Sequence, residues 1–292
     1  MDGVAIEDAL YVAFTMDCER IRKFSPPGGP ETWELSERAI RGYVGALGDH
    51  GLYGTLFIVP DTAAKQGDIL LEAMDEGWEL AMHYHPQSFG DGRYDRYLGE
   101  YSYEAQLKQL REGLEVWSQA LGLRPESFRP GNCSANEHTY RALYELGFRQ
   151  GSTYIPGRRI PKFHAIWVGA SPYPHHVEGM DFLEVPMTAD PHEVVERGDP
   201  THLRIEGARE EVLCSLAERW VRHLVERDCK LKVVVPITHN FIDYSDREGE
   251  HRRRLERLVE HLSRLSEELG LELKPATIKG LHELVDRAGL PI

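Results

Sequence analysis

The sequence predicts an α/β protein folded as a single (β/α) barrel, on three observations. Short apolar runs alternate with amphipathic helical stretches seven or eight times along the 292 residues. Glycines stand just past the helical stretches, at Gly51, Gly77, Gly122, Gly147 and Gly270, where left-handed caps are needed. No Pro-, Gly- or Ser-rich linker parts the chain and no internal repeat is present, so residues 1–292 are expected to form one domain.

The strand-like runs are 10–17, 54–60, 78–85, 127–130, 150–154, 182–187, 231–239 and 271–275. Apolar residues at three-to-four spacing predict helices over 32–47, 69–76, 103–121, 137–146, 210–227 and 250–269. Weak periodicity with many Gly, Pro and His residues marks 156–179 as the longest loop, and 26–30 as a second loop after the first strand. Leu255, Leu258, Leu262 and Leu265 are expected to turn the last of these helices toward the barrel, which weighs against an interaction module built on it.

Composition narrows the function. A hydrophobic fraction of 41% with 28% charged residues is that of a globular protein, neither disordered nor fibrous. The net charge of −14 argues against a grip on phosphate backbones, so nucleic acid is not an expected partner. The most basic stretch, 251–254, has acids interleaved around it and reads as a solvated helix face. No apolar run reaches the ~18 residues a membrane span needs, and no charged-then-apolar leader is visible, so a cytoplasmic protein with reduced thiols at Cys18, Cys133, Cys214 and Cys229 is expected.

In a parallel barrel the loops after the strands converge on one mouth, so the residues ending each strand are the candidates for chemistry. They are Asp17-Cys18-Glu19, His83-Tyr84-His85, Arg129 and Thr238-His239-Asn240. Alternation along a strand puts Asp17 and Glu19 on one face with Cys18 on the other, and His83 and His85 on a shared face. Two imidazoles with a carboxylate can hold a divalent ion and leave positions open for water. The His175-His176 pair, being adjacent, would point its rings opposite ways and not chelate together. Trp33, Tyr84, Phe89, Tyr94, Tyr97 and Trp167 could stack on a sugar ring, or equally be core aromatics. A Ser–His–Asp hydrolase is disfavoured because no G-x-S-x-G elbow occurs.

As an ordered set the motifs resemble the polysaccharide deacetylases of carbohydrate esterase family four. Ala13-Phe14-Thr15-Met16-Asp17-Cys18-Glu19 is similar to the family's T-F-D-D-G motif. Gly54-Thr55-Leu56-Phe57-Ile58-Val59 resembles its A-T-F-F-V strand, and Gly77-Trp78-Glu79-Leu80-Ala81-Met82-His83 its G-H-E-I-G-x-H. Ser127-Phe128-Arg129-Pro130-Gly131, Phe182-Leu183-Glu184-Val185-Pro186 and Thr238-His239-Asn240 resemble later motifs.

The resemblance implies a deformed (β/α)7-type barrel and a metal-dependent hydrolase of a C–N amide bond, acting on an N-acetylated sugar or related small amide. It implies Asp17 as general base, His239 as the acid that protonates the leaving amine, and Arg129 as the residue orienting the base. His83 matches the first histidine ligand of a divalent ion, zinc first among cobalt, manganese, nickel and iron. The family's ligand aspartate directly follows the base, where Cys18 stands, so Glu19 is expected to replace it, with a Cys18 thiolate as the other possibility. The family's second histidine falls at Gln87, for which His85 is the natural substitute. Should neither reach the ion, the chain would be a catalytically degenerate barrel that binds carbohydrate or metal.

Overall fold

The computed structural model describes residues 6–292. In chain order the elements are β1 (Ala9–Val12), β2 (Phe14–Cys18), α1 (Trp33–Gly48), β3 (Gly54–Ile58), α2 (Pro60–Asp75), β4 (Glu79–Tyr84), α3 (Tyr103–Leu121), β5 (Ser127–Pro130), α4 (Thr139–Glu145) and β6 (Gln150–Gly151). There follow β7 (Arg159–Ile160), β8 (Ala165–Ile166), β9 (His175–His176), β10 (Leu183–Glu184), α5 (Glu210–Glu226), β11 (Lys232–Val234), β12 (Ile237–His239), α6 (Glu250–Glu268), β13 (Glu272–Pro275) and α7 (Ile278–Ala288).

The main sheet runs β12-β2-β3-β4-β5-β6-β10-β9, its first seven strands parallel and β9 antiparallel at the edge. A smaller parallel sheet, β11-β1-β13, continues it below. The two are joined because β1–β2 and β11–β12 are each one bent strand. Ala13 and Thr15 donate their N–H groups to Val234 O (2.9 Å) and Pro236 O (3.0 Å), while Pro236 has no N–H to extend the ladder on its own strand. Irregular backbone closes the remaining side: Thr188 N donates to Val235 O (3.1 Å) and Ile205 N to Ile237 O (2.9 Å). The barrel is therefore deformed, with seven parallel strands as expected.

Side-chain alternation divides the core. Phe14, Met16, Cys18, Leu56, Ile58, Met82 and Phe128 point outward beneath the helices. Phe57, Ala81, Val185 and Ile237 point inward and meet Ile278, Leu281 and Val285 of α7. That helix closes the amino-terminal end of the barrel, where Ile278 N donates to Thr55 Oγ1 (3.0 Å) and Lys279 N to Glu79 Oε2 (3.1 Å). The carboxyl ends of the strands are left to form a cleft. Among the described residues no helix is long and apolar enough to cross a membrane.

Several sequence expectations are corrected here. The helix expected at 69–76 begins at Pro60, the last residue of the expected strand 54–60; Pro suits the first helical turn, where no N–H is needed. The runs 150–154 and 182–187 shorten to two paired residues each, since irregular backbone carries the barrel wall there. The loop 156–179 contains the β7–β8 hairpin and β9. The 251–254 stretch is not uniformly solvated, because Arg252 and Arg254 are buried and Arg254 Nη1 donates to Ile205 O (2.9 Å), tying α6 to the closing segment. Leu255, Leu258, Leu262 and Leu265 face the core as expected.

Candidate active site

The cleft at the carboxyl ends of the strands has a volume of about 320 Å³ and gathers Asp17, Glu19, His83, His85, Arg129 and His239. All six residues singled out in the sequence thus stand around one space. Alternation along β2 decides between the two candidates after Asp17: Glu19 turns inward, whereas Cys18 lies in the outer core. Burial also pushes the Cys18 thiol well above its ordinary range, with Asp17 and Glu19 adding to the effect, so a thiolate is disfavoured. Gln87 is not among the cleft-lining residues.

His83 and His85 aim their Nε2 atoms at the same carboxylate oxygen, Glu19 Oε1, at 3.2 Å and 2.9 Å. His83 Nδ1 lies 2.8 Å from Arg129 O, a carbonyl that can only accept, so Nδ1 carries the proton and Nε2 of the neutral ring presents a lone pair. Two acceptors then face each other, which calls for a proton or a cation between them. Glu19 Oε2 is buried with no hydrogen-bond partner, a costly arrangement unless a further positive group completes it. Two imidazole nitrogens and a carboxylate are the donor set of an open zinc-type site, so these residues fit a divalent ion.

The supporting contacts are specific. Asn240 Oδ1 accepts from Glu19 N (2.8 Å) while its Nδ2 donates to Glu19 O (2.9 Å) and Ser36 Oγ (2.7 Å), clamping the backbone that presents the carboxylate. The His85 ring lies flat on Gly131, where a Cβ would fall 2.2 Å from Nδ1; only glycine fits at that position.

Arg129 is fully buried, stacks over the Phe57 ring at 4.0 Å, and donates to Thr15 Oγ1 (3.0 Å), Ser152 O (3.1 Å) and Ser152 Oγ (2.9 Å). The same guanidinium donates to Asp17 Oδ1 at 2.7 Å, which leaves Oδ2 facing His83 Nε2 (3.7 Å) and His239 Nε2 (3.9 Å). Burial alone would raise the Asp17 carboxyl, but Arg129, His83 and His239 together hold it below the usual range. Asp17 is therefore an ionised carboxylate with one oxygen anchored and one free toward the cleft.

Across the cleft, His239 stacks on Phe241 (5.0 Å between centroids) and its Nδ1 donates to Glu206 Oε1 at 2.6 Å, so Nε2 faces Asp17. Burial opposes ionisation of Glu206, yet His239 and then Arg204, whose Nε lies 2.7 Å away, bring its pKa down to about 2. Glu206 is a site residue that sequence reasoning missed, and Asn240 one that it placed at a strand end without a role. Glu206 sits in aperiodic backbone 33 positions before His239, with no local signal.

The depressed Glu206 pKa makes a stability prediction. A carboxyl that titrates lower in the folded state stabilises the protein fully above its unfolded pKa of about 4.5, and that stability is lost as pH falls toward about 2. The difference in urea midpoint between the native protein and Glu206→Gln is expected to be largest at neutral pH and to shrink between about pH 4.5 and 2. A difference independent of pH across that window would mean that Glu206 is not ionised against His239.

Two other groups of candidates lie elsewhere. None of the six aromatics considered for ring stacking lines the cleft; Tyr84 and Phe89 are in the outer core and Trp167 stacks on Tyr154 (4.5 Å), leaving Phe241 as the aromatic lining residue among those described. His175 and His176 form edge strand β9, outside the cleft lining, with His175 Nδ1 against Tyr173 O (2.9 Å).

The fold and the site define a deformed, seven-stranded (β/α) barrel with a buried acid–histidine centre at the carboxyl ends of its strands. The particular resemblance read from the sequence is borne out, since residues 29–151 match the family model for polysaccharide deacetylase. That segment carries His83, His85 and Arg129, while Asp17, Glu19, Glu206 and His239 lie outside it. No curated protein matches the chain. Among solved structures, a Mycobacterium smegmatis protein assigned as a polysaccharide deacetylase superposes with TM-score 0.63 at 17% identity, over 98% of this chain and 93% of its own. A Pseudomonas aeruginosa PAO1 protein assigned likewise gives 0.65 at 13%, covering 96% and 92%. Puue allantoinase gives 0.65 at 12%, covering 98% and 93%. At such identities the likeness establishes the deformed barrel.

Proposed function

We propose that this chain is a metal-dependent hydrolase of a non-peptide C–N amide bond, removing the acyl group of an N-acetylated sugar or a related small amide. The observation that carries the reading is the pairing, in one cleft, of a Glu19 carboxylate whose Oε2 has no partner and whose Oε1 meets the Nε2 atoms of His83 and His85, with an anchored Asp17 and a His239 Nε2 that faces it. Glu19, His83 and His85 would hold the ion, zinc by preference for this donor set. When bound, such an ion polarises an amide carbonyl and lowers the pKa of water from ~15.7 toward ~7.

The chain's own residues supply the remainder. Asp17 accepts the proton of the attacking water on Oδ2, kept ionised and correctly turned by Arg129. His239 donates a proton from Nε2 to the leaving amine, while Glu206 holds Nδ1–H and offsets the charge of the imidazolium. Asn132 and Cys133 turn the cleft wall with φ of 56° and 55°, and an N–H of this turn is the proposed donor to the developing oxyanion. A cleft of about 320 Å³ is at the small end of ligand sites and suits one ring or a short amide. The rival reading, a degenerate barrel that binds without turnover, rests on Cys18 and Gln87 standing where the family's pattern has ligands.

The test is a turnover screen of N-acetylated mono- and oligosaccharides and small linear and cyclic amides, with zinc, cobalt or manganese supplied, reading released acid or amine. Turnover on the order of 1 s⁻¹ or more is expected for at least one substrate. A metal-loaded protein inert toward all of them would favour the degenerate barrel.

A further inference from the structure

At the opposite end of the barrel a second group of ligand-type side chains converges, outside everything the cleft uses. His282, on α7, is buried, and its Nδ1 lies 2.9 Å from Gln150 Oε1. Gln150 Nε2 donates to Ser127 Oγ (2.9 Å), so the amide presents its oxygen to His282, which must donate from Nδ1. The lone pair of the neutral ring is then on Nε2, and that atom is buried without any hydrogen-bond partner.

What faces it is acidic and basic at once. Asp181 Oδ1 lies 3.6 Å and Asp286 Oδ1 3.7 Å from His282 Nε2, and the His176 ring meets the His282 ring edge-on at 5.6 Å. One ring nitrogen of each histidine and a carboxylate oxygen of Asp286 lie within 4.8 Å of one another. A protonated His282 hydrogen-bonded to either acid would draw the pair to about 2.8 Å. By contrast, ligands about 2.0–2.1 Å from a tetrahedral ion stand about 3.3 Å apart, nearer to the 3.7 Å between His282 Nε2 and Asp286 Oδ1. Asp181 and Asp286 have 65% and 61% of their side chains exposed, so an ion can enter from solvent.

We propose that His176, His282 and Asp286 form a second divalent-metal site of zinc type, its fourth position open to water. His282 and Asp286 are four residues apart on one face of α7, whereas His176 and Asp181 flank the turn between β9 and β10. The ion therefore ties the helix that closes the barrel floor to the edge of the sheet. Its role is to hold α7 in place, independently of the chemistry in the cleft.

Zinc stoichiometry and hydrogen exchange of residues 278–288 test this. The native protein is expected to bind two zinc ions per chain with Kd below about 10 μM, and the His176→Ala/Asp286→Asn variant one. Zinc should slow exchange in 278–288 at least about tenfold in the native protein and in a His83→Ala/His85→Ala variant, but not when His176 and Asp286 are replaced. Any hydrolytic activity should be unchanged in His176→Ala/Asp286→Asn. One ion per chain in the native protein, lost on replacing His83 and His85, would overturn the proposal, as would zinc protection of 278–288 that survives the loss of His176 and Asp286.

Discussion

Asp17→Asn is expected to lower kcat about 10²–10⁴-fold, the contribution of a positioned general base, while leaving the ion's ligands in place. The substitution preserves shape, and the amide oxygen can still accept from Arg129 Nη1, which now lies 2.7 Å from Asp17 Oδ1. It removes the ionised carboxylate whose free oxygen faces both His83 and His239. It also leaves the fully buried Arg129 guanidinium without its counter-charge, so thermal stability should drop, by on the order of 3 kcal/mol. The decisive comparison is kcat against bound metal in one preparation. A variant that keeps its metal and loses at least a hundredfold in kcat supports Asp17 as base; one that keeps its metal and its kcat removes Asp17 from that role.

The parts of the site that could be read in the sequence are those fixed by strand periodicity. On β2 the side-chain period of two places Glu19 with Asp17 and turns Cys18 into the apolar core, and on β4 it aligns His83 with His85. Both inferences needed only the strand and its direction. Pro60 shows the limit of the same reasoning, since an apolar run ending in proline reads equally as a strand end or as the first turn of a helix, and here it opens α2. The capping Thr277 and the terminal Gly289 of α7 were visible signals, yet eleven residues at the end of a chain give a short periodicity that is easily passed over. Glu206 is of another kind. It belongs to irregular backbone that closes the barrel against β12, and its partnership with His239 exists only after that closure. Contacts made by aperiodic wall segments are set by tertiary geometry, which a period cannot report.

His83→Ala/His85→Ala is expected to remove one equivalent of metal per chain and to reduce any amide hydrolysis to background. Each imidazole brings one Nε2 atom to Glu19 Oε1, and the two other candidate ligands do not replace them: Cys18 is in the outer core and Gln87 does not line the cleft. Loss of two of three protein ligands leaves a single buried carboxylate, too weak a set to retain the ion. Cys18→Ser is the matched control, since it alters the residue beside the base without touching the proposed ligands, and it should retain the full metal content. The two variants together separate the donor sets: metal that follows Cys18 would replace Glu19 by a thiolate site, whereas metal that follows the histidines fixes Glu19, His83 and His85 as the centre around which Asp17 and His239 act.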